Sequence, residues 1–155
     1  MPRLLLAFAA ASMLVACGGQ TATTPKTGAA SGPATVSSTS SKLGTILVSG
    51  QKATLYLFVK DTSTASTCYG QCAADWPPLL TQGAPHAGPG VDSSKLGTTK
   101  RSDGTTEVTY NGHPLYFYEA DDGMSGSTKG QGLDLNGGEW YVLNTSGMQV
   151  ESQGS

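Results

Sequence analysis

Residues 55–80 read "LYLFVKDTSTASTCYGQCAADWPPLL" and residues 115–140 read "LYFYEADDGMSGSTKGQGLDLNGGEW". Both open on Leu-Tyr-x-aromatic-x-x-Asp, pass through a loop rich in Gly, Ser and Thr, and arrive at a Trp, Trp76 in the first copy and Trp140 in the second. In an extended chain successive side chains point to opposite faces. Tyr56 and Phe58 therefore share one face, as do Tyr116 and Tyr118, while Leu55, Leu57, Leu115 and Phe117 take the other. Both faces are apolar or aromatic, the pattern of a central strand covered on two sides. Asp61 and Asp121 fall just beyond the strand ends, where an Asp carboxylate accepts backbone N–H groups and holds the following loop.

The duplication extends outward. "SSKLGT" stands at 40–45 and again at 93–98, which makes "KRSDGTTEVTYNG" an insertion in the second copy. Its Asp103-Gly104 and Asn111-Gly112 pairs are turn signals between β-favouring residues, so it reads as a lengthened hairpin. Strands are predicted over 45–48, 53–59, 97–101, 106–110, 115–119 and 140–144. The best helical candidate is a single turn in 69–75. The expected fold is all-β: two pseudo-repeated antiparallel halves sharing one core, sandwich- or barrel-like, with little helix, and with Trp76 and Trp140 closing the ends of the core. A half of about 50 residues buries too little surface alone, whereas about 100 residues support one core.

The N-terminal residues describe export. "MPRLLLAFAAASMLVAC" places Arg3 before an apolar run from Leu4 to Val15 that is shorter than the ~20 residues a bilayer span needs. "LVAC", Leu14 to Cys17, resembles the bacterial lipobox. That resemblance implies cleavage after residue 16, diacylation of Cys17 with palmitate-type chains and a membrane partner reached through this anchor. Gly18 is not the Asp that retains lipoproteins in an inner membrane, so the outer membrane is expected in a Gram-negative envelope. The expected organisation is a signal peptide at 1–16, lipidated Cys17 and a flexible tether to 41, a β domain at 42–146 and a tail at 147–155.

Charge and motifs narrow the chemistry. The chain carries −2, and removing the +1 of Arg3 leaves −3. No basic stripe suggests nucleic acid. Between 102 and 140 seven acids, including Glu107, Glu119, Asp122 and Asp134, face only Lys129. This reads as a solvated face that also suits a cation or a basic partner. Cys68 and Cys72, spaced C-x3-C in an exported chain, predict a disulfide worth ~2 kcal/mol by loop closure. Their spacing is not that of a thioredoxin-type pair. With His86 and His113 they fit no zinc module, and Asp61, Asp121, Asp122 and Asp134 lack the twelve-residue calcium-loop pattern. No hydrolase, metalloprotease or phosphate-binding motif is present. No cofactor or catalytic residue is assigned, and a binding or structural role is favoured over an enzyme. A redox- or metal-linked role through Cys68/Cys72 or the acidic loops is the alternative.

Tyr56-x-Phe58-x-x-Asp61 and Tyr116-x-Tyr118-x-x-Asp121, with "CAADWPP" after the first and "YNGHPLY" before the second, resemble the bacterial predicted-lipoprotein family with a Tyr-x-aromatic-x-x-Asp motif, also called the secreted repeat of unknown function. The resemblance covers residues 43–145. It implies an envelope lipoprotein of tandem repeats, and no reaction.

Overall fold

The computed structural model describes residues 31–151. The described residues form three small sheets and no closed barrel. In the first, β1 (Thr35–Ser41) pairs antiparallel with β2 (Gly44–Ser49) and parallel with β4 (His86–Ala87). In the second, β3 (Tyr56–Phe58) and β8 (Leu133–Leu135) flank β9 (Gly138–Val142). The third joins β5 (Leu96–Lys100), β6 (Thr106–Tyr110) and β7 (His113–Pro114). Asn111 and Gly112 both have positive φ (51° and 85°), which gives the β6–β7 link the backbone of a type I′ hairpin turn. Asn136 and Gly137 do the same between β8 and β9 (60° and 87°). The helical turn expected in 69–75 is α1, Gln71–Asp75.

The first half begins earlier than expected. Thr35–Ser41, assigned to the tether, is β1, and Val36 within it is fully buried. Small hydroxyl side chains fill the rest of this strand, so no large apolar residue marks it in the sequence. The same hairpin corrects the repeat alignment. "SSKLGT" turns the corner between β1 and β2 in its first occurrence, and in its second makes a 3-10 turn at Ser93–Lys95 before entering β5. The identical hexapeptides therefore occupy non-equivalent places. β5–β6 is not an insertion but the counterpart of β1–β2. At the other end the chain beyond 146 is not a free tail as far as residue 151: Val150 N–H donates to the Val142 carbonyl, and Leu143 bridges to Gln149.

The two faces of the Tyr phrases separate two cores. Leu55, Leu57, Leu115 and the half-buried Phe117 belong to an aliphatic cluster with Val36, Leu47, Leu79, Val108, Tyr110 and Leu143. Tyr56, Phe58, Tyr116 and Tyr118 belong to an aromatic cluster with Trp76 and Trp140. Leu115–Glu119 is not a regular strand. Tyr116 bridges to Tyr56 on one side and to Pro78 on the other, and the chain turns into a 3-10 helix at Glu119–Asp121. Pro77 and Pro78 lack N–H groups. The bonds on that side run from Phe117 N–H to the Pro77 carbonyl and from Leu79 N–H to the Leu115 carbonyl, leaving an interrupted ladder. The tryptophans do not close opposite ends: Trp76 and Trp140 stack on each other, centroids 4.0 Å apart and planes 1° from parallel. Phe58 stacks on Trp140 at 4.0 Å and Tyr118 on Trp76 at 4.2 Å, so four rings form one column.

Candidate functional site

Where the two halves meet, Tyr56 and Tyr116 exchange both backbone hydrogen bonds, at 2.9 and 3.0 Å. Their side chains also exchange partners. The Tyr56 hydroxyl donates to Asp121 Oδ2 and the Tyr116 hydroxyl to Asp61 Oδ2, each at 2.6 Å. Each tyrosine thus completes the aspartate turn of the opposite half. The turns are alike. Asp61 N–H donates to the Phe58 carbonyl, and Asp121 N–H to the Tyr118 carbonyl. Six residues on, Thr67 and Ser127 each donate a hydroxyl hydrogen bond to the Oδ1 of their aspartate, at 2.6 and 2.7 Å. A backbone N–H, from Thr67 or Lys129, adds a third bond to each carboxylate. Such hydrogen bonds to a largely buried carboxylate are the strong kind. Burial, followed by the adjoining carboxylates, pushes both tyrosine hydroxyls well above the usual phenol range, and both remain protonated donors.

Each aspartate with its tyrosine, hydroxyl and backbone N–H donors makes a box, and the first, around Asp61, extends inward. Tyr116 Oη lies 2.7 Å from Ser66 Oγ; with the tyrosine proton on Asp61 the serine hydroxyl is the donor there, while its oxygen accepts from Arg101 Nη1 at 2.7 Å. Arg101 donates further to the Cys68 carbonyl and to Glu107 Oε2, both at 2.7 Å, and its guanidinium stacks on Tyr69 at 4.4 Å. Arg101 and Glu107 form a buried ion pair across the β5–β6 hairpin, with side chains 1% and 0% exposed. Burial raises the Glu107 carboxyl to about 8 against the attraction of Arg101. Burial lowers Arg101, but the hydrogen bond and charge of Glu107 outweigh it and the net shift is upward. Glu107 Oε1 and Trp76 Nε1 have no hydrogen-bond partner. The Cys68–Cys72 disulfide, Cα atoms 5.2 Å apart, closes the loop that presents the Cys68 carbonyl.

The second box opens outward. Gly130 N–H donates to Tyr56 Oη, and a Cβ on Gly130 would stand 2.7 Å from Trp76 and 2.9 Å from Tyr56, so only glycine allows this approach. On the other side of Asp121 lies a cleft of about 340 Å³. Its walls are Ala53, Pro77, Pro78, Phe117 and Tyr118, and its acidic side is Glu119, Asp121 and Asp122. The first half supplies the prolines and the second half the aromatics and acids. The Phe117–Gly123 stretch delivers them because Asp122, left-handed at φ 52°, ends the 3-10 turn and swings the chain around the cleft mouth.

The acidic stretch is not one solvated face. Glu107 and Asp121 are buried inside the domain, while Asp122 and Asp134 are exposed. Among the described residues no group of three or more His, Cys, Asp and Glu is placed to hold a metal ion, and no helix is long and apolar enough to cross a membrane. Burial lowers His113, next to the Asn111-Gly112 turn, below its usual range. Cys17 lies outside the described residues. Sequence reasoning had no assignment for Ser66, Arg101 or the proline wall. It had a signal for Thr67 and Ser127, hydroxyls at the same spacing from the two motif aspartates.

No curated protein and no solved structure matches the chain. A family model described as a secreted repeat of unknown function matches residues 37–80 and 97–144. Both matched segments begin in the first strand of a hairpin, β1 or β5, which agrees with the equivalence drawn from the fold and not with the "SSKLGT" alignment. The matches cover more than half of the chain, which therefore belongs to the family of secreted repeats, with an extracellular or envelope location.

Proposed function

We propose that this protein is a lipid-anchored module of the bacterial envelope, held by diacylated Cys17, that acts by binding a ligand rather than by turning one over. The observation that carries this reading is the cleft between the halves. At about 340 Å³, with apolar walls and a few acidic groups, it has the size and lining of a small-molecule site, for which roughly 300–1,000 Å³ is usual. The two motif aspartates, which would otherwise suggest chemistry, are occupied: Asp61 and Asp121 each hold a tyrosine, a hydroxyl and a backbone N–H. The signal peptide ending in "LVAC" supports the anchor, and the outer membrane is the expected site in a Gram-negative host.

Two measurements test this. Cys17→Ser should leave the precursor unprocessed or release the protein from membranes, and normal processing with membrane retention would refute the anchor. A fragment screen by NMR on the mature protein should produce ligands that shift the Phe117–Gly123 resonances. A screen in which no fragment reaches that cleft would refute the binding reading.

A further inference from the structure

We propose that the cleft selects a small organic cation, an ammonium group carried on an apolar body; this deepens the binding reading above and rests on it. Its lining contains three carboxylates and no Lys or Arg. The potential there is negative, and a cleft with low-dielectric walls focuses it, so an anion is repelled on approach. Asp121 is spent inside, and Asp122, its side chain 66% exposed, faces an incoming charge. A hydrated metal ion finds no ligand set here, and Ala53, Pro77, Pro78 and Phe117 offer it nothing. Those walls reward an apolar body instead.

Tyr118 supplies the second element. It is the outermost ring of the aromatic column, stacked at 4.2 Å on Trp76, which is itself fully buried and backed by Trp140. One face is thereby taken, and the ring is held in place as it meets the cleft. A cation settling beside a fixed aromatic ring is attracted by the ring quadrupole, and no ordering cost is added for the ring. The protein already places a cation nearby: Lys129 Nζ lies 3.9 Å from Asp122 Oδ2 and donates to the Ala120 carbonyl at 2.9 Å. A ligand ammonium would share Asp122 with Lys129, so this pair sets how much negative potential is on offer.

The test uses the mature lipid-anchored protein in nonionic detergent, with three probes that share a phenyl ring: benzyltrimethylammonium, benzyl alcohol and phenylacetate. Binding is followed by calorimetry and by the Tyr118 ring resonances. The cation should bind at least about tenfold more tightly than phenylacetate, and its affinity should fall as salt rises. Asp122→Asn should weaken it about threefold and Lys129→Gln should tighten it about threefold, each within the range of an exposed charge pair. Tyr118→Leu should weaken it about fivefold. Because that change also strips one ring from the column, the exposed Asp122 and Lys129 variants keep the test independent of folding. Equal binding of phenylacetate, or an affinity that neither charge variant moves, overturns the cation proposal. If benzyl alcohol or other neutral fragments still occupy the cleft, the binding reading survives that result; if nothing does, both fall.

Discussion

The Asp61 and Asp121 boxes are built to one plan and used differently. Each aspartate caps the turn after its aromatic segment, each takes a hydroxyl hydrogen bond from six residues on, and each receives a tyrosine from the other half. Around Asp61 the chain adds Ser66, the Arg101–Glu107 pair and a disulfide, and the loop is sewn into the core. Around Asp121 the loop carries Gly126 at the position equivalent to Ser66, has no disulfide and borders the cleft. The shared plan is a stability device, because an exchanged Tyr–Asp bond cannot form within one repeat. The divergence shows where the chain is free to vary, and that is the Asp121 side.

The largest effect should come from the element that both boxes share. Trp140 touches Trp76, Phe58 and Tyr116, so Trp140→Ala should cost about 4 kcal/mol by cavity formation and weaken both boxes in one cooperative transition. Urea unfolding followed by tyrosine and tryptophan probes checks it. A loss under about 1 kcal/mol, or separate transitions for the two halves, would break the picture of a shared aromatic core.

Next in size is a pH dependence that belongs to the Asp61 side alone. Glu107 is raised from 4.5 to about 8, so the folded state holds its proton more tightly than the unfolded state does. Stability should therefore fall as pH rises from about 4.5 to 8, on the order of 3 kcal/mol over pH 5 to 8, and Glu107→Gln should flatten that slope. His113 works the other way near 6.5, being held below that value when folded, and Asp92 and Asp103 titrate below the window. The difference between wild type and Glu107→Gln isolates the glutamate. Identical slopes in the two proteins would show that Arg101 keeps Glu107 charged throughout.

How much of this could be read from residues alone follows from which interactions leave a local pattern. Alternation in "LYLF" and "LYFY" separates the two clusters, since period two is a property of any extended chain. Asn111-Gly112 marks its hairpin because few residues tolerate positive φ. β1 was hidden by its small hydroxyl side chains, and the verbatim "SSKLGT" then drew the repeat alignment to the wrong hairpin. The Tyr–Asp exchange and the Arg101–Glu107 pair left no trace as contacts. They join residues 65, 55 and 6 positions apart across elements whose mutual placement only the fold decides. The proline wall was visible as "WPP", yet nothing local says that it faces Phe117 and Tyr118.

The disulfide gives a third, smaller effect. Replacing both Cys68 and Cys72 with Ser should cost about 2 kcal/mol, the loop-closure value for so short a ring. The cost should appear as loosening around Cys68 and Arg101, with hydrogen exchange rising at Ser66–Tyr69 while Ser127–Gly130 stays protected. Equal loosening of both loops would mean that the boxes are not separately braced.

The finest comparison is between Asp61→Asn and Asp121→Asn. Either amide keeps one acceptor oxygen for the hydroxyl and backbone donors of its loop, and presents NH₂ where the tyrosine proton pointed. Tyr116 has somewhere to turn: Ser66 Oγ lies 2.7 Å from its hydroxyl and can take its proton by releasing the longer, 3.3 Å bond from the Cys68 N–H. Tyr56 does not: its other neighbour is the Gly130 N–H, a donor, so its proton would be left buried without an acceptor. An orphaned buried donor costs about 1–3 kcal/mol, whereas a redirected one costs less. Asp121→Asn should therefore be the worse by about 1 kcal/mol, even though Asp61 stands in the more elaborate network. Ser66→Ala should erase the difference by depriving Tyr116 of its alternative. If Asp61→Asn proves the more damaging in the Ser66-containing protein, the extra groups around the first box are not a reserve for Tyr116 but a structure that collapses with it.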